Sequence, residues 1–190
     1  SGWTFPTVAA IEGIYQITTG NLESLSKQEL ADCGSIDHGR DGDLMKHVFQ
    51  FIIENCGITT EANYPYTAVN GTCDTNKEAY PTAQTKCYET VPANSEEKLQ
   101  KEVANQPVSV SIDAGGSNVQ FYASAIFTGQ SRTQLGHDVT TVDYGSTGHD
   151  TKYWIVKNSW GTQWGEEGYI RMQRGRYAQE GLCDISMDVS

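Results

Sequence analysis

Four histidines and five cysteines supply the strongest acid–base and nucleophilic groups in these 190 residues. His38 sits in an acidic stretch, His47 in an apolar-periodic run and His149 in a Gly-Ser-Thr-Gly-His-Asp turn, so each reads as a surface residue. His137 differs, because it opens the strand-like run Leu135-Gly136-His137-Asp138-Val139. From a strand end an imidazole can project into a crevice and take a proton near neutral pH. The cysteines (Cys33, Cys56, Cys73, Cys87 and Cys183) form no CxxC pair, which argues against a zinc ribbon. Asp37, His38, Asp41 and Asp43 match neither an EF-hand loop nor a zinc pattern, so no metal and no other cofactor is expected. Asn70-Gly71-Thr72 is an N-glycosylation sequon, which beside possible disulfides favours the secretory pathway.

These groups need elements to hold them. Trp3, Val8, Ile11 and Ile14 or Tyr15 recur at helical spacing, with Pro6 near the front and Gly20 as a left-handed cap. That pattern predicts a central helix buried on most sides. Ser26 and Glu29 have the spacing of a capping box and start a short helix towards Cys33. Residues 34–43 read as a polar loop, residues 44–55 as a third helix ended near Gly57, and residues 59–83 as irregular and exposed. After Cys87 the composition shifts. Residues 95–106 predict one more helix, capped by Ser95, with Leu99 and Val103 inward. Strand-type runs follow at 107–112, 138–142, 153–156 and 169–172, predicting an antiparallel sheet or barrel.

Two stretches carry a family resemblance. Ser1-Gly2-Trp3-Thr4-Phe5 with Ile11-Glu12-Gly13 resembles the nucleophile helix of papain-like cysteine proteases, Cys-Gly-Ser-Cys-Trp-Ala-Phe, with Gly2 at the cysteine position. Lys157-Asn158-Ser159-Trp160-Gly161-Thr162-Gln163-Trp164-Gly165-Glu166-Glu167-Gly168-Tyr169 is an extended match to that family's second motif. His137 and Asn158 follow Gly2 near the spacing of about 130–150 residues that is a property of the family. Gln28-Glu29-Leu30, Tyr64-Pro65-Tyr66 and Asn105-Gln106-Pro107-Val108 extend the likeness over nearly the whole chain.

The resemblance implies an α+β, papain-like two-lobe fold, with a helical left lobe (1–88) packed on an antiparallel β-barrel-like right lobe (89–190) and an interlobe cleft. It implies His137 as the base, Asn158 as its orienter and Trp160 as a shield. A groove would be formed with Gly42, Asp43, Leu44, Met45, Ser111, Leu135, Gly136 and Asp138, and Cys33 would pair with Cys73. Family enzymes attack a peptide carbonyl with a thiolate and hold the oxyanion with a backbone N–H and an upstream glutamine. Gly2 offers no thiolate, so the chain is similar to the glycine-for-cysteine papain homologues of legume seeds, and no proteolysis is expected. The alternatives are an active endopeptidase, if Gly2 is misread, and a weak hydrolase using another nucleophile, such as Ser1 as a free N-terminal residue.

Departures from the family point the same way. Arg40 replaces one bridge cysteine, Ser131 stands where Cys183 would find its partner, and Cys56 and Cys87 have no counterpart. Asp43 and Asp138 add carboxylates to the expected groove, favouring cationic peptides over acidic ones. The chain opens inside the first motif, so residues upstream are expected. A net charge of −11 argues against nucleic acid and anionic membranes as partners, and no apolar run reaches the ~20 residues of a membrane span. The expected partners are a peptide or protein segment in the cleft and an N-linked glycan. The expected state is a monomer of the secretory pathway, in a seed protein storage vacuole or outside the cell, with a storage, binding or defence role.

Overall fold

Pro6 and Gly20 bound the first helix as their chemistry requires. In the computed structural model, which describes residues 2–34, 43–114, 117–129 and 136–175, α1 runs Thr4–Thr19. Pro6 lies among its first residues, where an absent N–H goes unmissed. Gly20 takes a left-handed φ of 79° and its N–H donates to the Gln16 carbonyl at 2.8 Å. Thr4, Pro6, Thr7, Val8, Ala10 and Ile11 are buried, whereas residues 16–20 are exposed. The helix is therefore enclosed over its first half only, which corrects the expectation of burial on most sides. Its last turn carries Gln16, Thr18 and Thr19, which have no reason to leave water.

Helix α2 (Lys27–Cys33) begins at Ser26, whose Oγ accepts from the Glu29 N–H at 2.9 Å. Only that half of the capping box forms. The Ser26 N–H donates instead to the Thr59 carbonyl, and the Glu29 carboxylate turns inward to accept from the Thr59 N–H at 2.7 Å and Asn55 Nδ2 at 3.1 Å. Burial, opposed by those two donors, raises the Glu29 pKa from 4.5 to about 7. Between those values only the folded chain holds the proton, so each step up in pH costs stability. This contribution is fully present below about pH 4.5 and lost as pH rises through about 7. We expect the wild type to lose more thermal stability than Glu29→Gln between pH 5 and pH 7. Parallel melting curves for the two proteins would refute this.

Helix α3 (Asp43–Glu54) buries Met45, Val48, Phe49 and Ile52 at helical spacing. Val48 and Ile52 pack with Val8, Ile11, Leu25, Leu30, Ile58 and Ala83 in the core of the first compact unit, Ser1–Glu89. The segment after α3 is less exposed than expected. Thr59, Tyr64 and Ala83 are buried in it, and it contains a short helix, α4 (Thr75–Glu78). Cys33 and Cys73 form a disulfide that joins α2 to this segment. Cys56 and Cys87 are free and exposed, and Cys183 lies outside the described residues, as do Arg40 and Ser131.

The second unit, Thr90–Ser190, carries the sheet. Helix α5 (Glu96–Val103) is capped by Ser95, whose Oγ accepts from the Lys98 N–H, and it turns Leu99 and Val103 inward. Then come β1 (Val108–Ile112), α6 (Ser117–Gln120), β2 (Ile126–Phe127), β3 (His137–Ser146), β4 (Lys152–Lys157) and β5 (Tyr169–Gln173). The sheet order is β1-β3-β4-β5-β2. All pairs are antiparallel except β2 with β5. That parallel edge departs from the expected antiparallel pattern, since two residues are too few to show alternation. Val110, Val139, Trp154, Val156, Ile170 and Met172 fill the core, and the buried Trp154 indole N–H donates to Glu96 Oε1 at 3.3 Å. Among the described residues, no helix is long and apolar enough to cross a membrane.

Candidate functional site

The strand pairings place His137 at the first position of β3, opposite Ile112 of β1, with its ring half-buried. Asn158 follows β4 directly and is 8% exposed. Its backbone N–H donates to the Gly168 carbonyl at 3.0 Å. Its Oδ1 accepts from the Ser159 N–H at 2.7 Å, which fixes which end of the amide is oxygen. The same Oδ1 lies 2.7 Å from His137 Nε2. An acceptor there requires Nε2 to carry the hydrogen, so the neutral ring keeps its lone pair on Nδ1. A base oriented in this way can take a proton at Nδ1 without turning.

Trp160 covers the imidazole. Its ring stacks on His137 at 4.8 Å and 28°. Trp164 meets Trp160 edge-on at 5.1 Å, and its indole N–H donates to the Gln120 carbonyl at 3.1 Å. Trp164 also lies 5.8 Å from the Tyr122 ring. The Tyr122 hydroxyl reaches Glu166 Oε1 at 3.0 Å, and Glu166 binds the Arg171 guanidinium in forked fashion, at 2.9 Å to Nε and 2.8 Å to Nη2. The guanidinium holds the Glu166 carboxyl below the usual carboxylate range, and burial pushes the Tyr122 phenol up. The loop bearing both tryptophans turns tightly at Gly165, where φ is +58° and a Cβ would lie 2.5 Å from the Tyr169 carbonyl oxygen. Gln120, Tyr122, Glu166 and Arg171 are supports that residue-type reasoning missed. Only the closely spaced glycines at 161, 165 and 168 signalled a built loop.

Ser111 and Asp138 also meet, as β1–β3 partners, with the Ser111 hydroxyl donating to Asp138 Oδ1 at 2.5 Å. Gly136 is exposed and Met45 is 1% exposed. Gly42 and Leu135 lie outside the described residues, and Asp43 and Leu44 open α3 without described side chains. In the first unit, Gly2 is an exposed turn residue ahead of α1. A Cβ placed on it would meet nothing within 4 Å, and the first turn of α1 carries no acidic residue. The backbone N–H groups at that helix start favour an anion, a thiolate included. Asn70 is exposed. Among the described residues, the one close trio of metal-ligand type is Cys33, Cys73 and Glu78, and its two sulfurs are bonded to each other.

Comparison with known proteins accounts for this arrangement. Residues 1–190 match the family described as papain family cysteine protease. The chain is 56% identical over 191 residues to vignain of Ricinus communis, covering all of this chain and 53% of that protein. It is 55% identical over 192 residues to cysteine endopeptidase RepA of Oryza sativa subsp. japonica, with 51% of that protein covered. The chain thus spans about half the length of the curated relatives it matches. Among solved structures, the bromelain protease from Ananas comosus in complex with the E64 inhibitor superposes with a TM-score of 0.88 at 42% identity. That superposition covers 99% of this chain and 86% of the bromelain chain. The papain-like α+β fold follows from that likeness. With matched residues running from the first helix to the end of the chain, this protein belongs to the papain family of cysteine proteases.

Proposed function

We propose that this chain is a papain-family domain that binds peptides without cleaving them, because Gly2 stands where the family's nucleophilic cysteine would be. Gly2 within Ser1-Gly2-Trp3-Thr4-Phe5 carries the reading. The retained His137–Asn158–Trp160 arrangement supports a site that has lost one group and kept its supports. Loss of the nucleophile in a related hydrolase logic costs roughly 10⁶-fold in rate, leaving nothing useful against an amide bond. The role we assign is storage, peptide binding or defence, in a monomer of the secretory pathway, vacuolar or extracellular, akin to the glycine-for-cysteine homologues of legume seeds.

The test uses the full-length protein and a dipeptidyl fluorogenic substrate, with and without a thiol-directed active-site inhibitor. The expected result is no inhibitor-sensitive turnover, with alkylation by iodoacetamide mapping to cysteines such as the exposed Cys56 and Cys87 and never to residue 2. Turnover abolished by the inhibitor in a homogeneous sample overturns the reading in favour of an active cysteine endopeptidase.

For ligand choice we assign Asp138, held by Ser111 and adjacent in sequence to His137, as a contact that selects cationic peptides. Asp138→Ala is expected to reduce the preference for Lys- or Arg-bearing over Glu-bearing peptides about fivefold, the scale of one part-exposed ion pair. Equal preference in both proteins, measured by retention on a peptide array, removes Asp138 from this role.

A further inference from the structure

We propose that Asn70 is an N-glycosylation site presented by a loop whose backbone is tied inward while its acceptor side chain is left free. The motif Asn70-Gly71-Thr72 alone is a short pattern that chance can produce. The structure supplies what the pattern lacks.

The middle residue is anchored. The Gly71 N–H donates to Asp32 Oδ1 at 2.6 Å, and a Cβ at Gly71 would sit 3.2 Å from Asp32 Oδ2, so the absence of a side chain is what permits the approach. Asp32 is itself fixed, accepting from Tyr64 Oη at 2.8 Å and Gln28 Nε2 at 2.8 Å. Gln28 also ties the residues ahead of the motif, donating to the Val69 carbonyl at 2.7 Å and accepting from the Thr67 N–H at 2.9 Å. Cys73, immediately after the motif, is bonded to Cys33. Every one of these ties uses backbone or the flanking residues. Asn70 and Thr72 are exposed and, among the described residues, their side chains make no hydrogen bond. The loop belongs to no helix or strand. A carboxamide in that position costs nothing to modify, and a bulky hydrated group there displaces no packing.

The adjacent disulfide bears on the compartment. Cys33–Cys73 requires an oxidising environment, the same one in which the sugar is transferred. The donor class is a lipid-linked pyrophosphate oligosaccharide. Asn70 Nδ2 forms the new bond to the anomeric carbon, the bond from that carbon to phosphate breaks, and the lipid pyrophosphate departs with the electron pair. The amide proton passes to a base of the transferase.

The experiment expresses the full-length protein through the secretory pathway of a plant cell and compares wild type with Asn70→Gln, Thr72→Ala and Thr72→Ser. The expected result is a glycan-sized mass increment in wild type and Thr72→Ser that is absent from Asn70→Gln and Thr72→Ala. Amidase release of the glycan from wild type should leave an aspartate at position 70 in its tryptic peptide. Recovery of that wild-type peptide with an unmodified asparagine as the main species overturns the proposal. Should Asn70→Gln fail to accumulate, the wild-type peptide mass and the Thr72→Ser and Thr72→Ala pair still decide it.

Discussion

Replacing Gly2 by cysteine is expected to give the full-length protein a peptidase activity at least about 10³-fold above its own background, abolished by a thiol-directed inhibitor. The expectation rests on three observations. Gly2 is exposed, outside the left-handed φ region, and its added Cβ meets nothing within 4 Å, so the substitution carries neither strain nor collision. The helix that starts two residues later runs for 16 residues, and no carboxylate in its first turn competes for its unpaired N–H groups. A thiol at that end is shifted towards the thiolate. Finally, Asn158 holds His137 as the Nε2–H tautomer, leaving Nδ1 to accept a proton. Folded Gly2→Cys protein that is labelled at residue 2 yet turns over no substrate would overturn the proposal that this one side chain is what activity lacks. The control is the parent protein, in which Cys56 and Cys87 account for background labelling.

The second large effect is on stability. Removing the Cys33–Cys73 bridge by Cys33→Ser/Cys73→Ser frees a loop with a sequence separation of 40 residues. Chain entropy for such a loop is worth about 4 kcal/mol, roughly a quarter or more of what holds a typical domain folded. The hydrogen bonds from Thr67 and Gly71 to Gln28 and Asp32 run beside this bridge, joining the far end of the loop to the helix residues just ahead of Cys33. We therefore expect a large drop in the urea midpoint, accompanied by early loss of the Tyr64–Asp32 contact. A change below about 1 kcal/mol would show that those hydrogen bonds close the loop by themselves.

Local chemistry made much of this legible in the sequence. Ser26 and Ser95 cap the helices they announce, Gly20 ends the helix it was expected to end, and His137 opens its strand. These are features decided within a few residues. Glu29 was not legible, because its partner Thr59 lies 30 positions away and outcompetes the local capping box. Strand β2 was not legible either, for it has two residues and pairs with a strand some 45 positions on. The site shows the same division. His137 stood out by its strand-like run and Asn158 and Trp160 by a motif, whereas Tyr122 reaches Glu166 only through the fold, across 44 residues. Those long-range partners leave no periodic trace.

The separation of the two cores has a consequence for synthesis. Among the described residues the first core draws on positions up to Tyr88, so its apolar groups are all in hand before the strands of the second unit are made. The sheet of the second unit must wait for Tyr169–Gln173, since both β4 and β2 pair with that strand. Translation at about 5–20 residues per second puts several seconds between these events. Cys33, Cys56, Cys73 and Cys87 all belong to the first unit. Cys33 thus meets Cys56, Cys73 and Cys87 before the sheet is complete, and its bond to Cys73 is a selection that thiol exchange can correct at that stage.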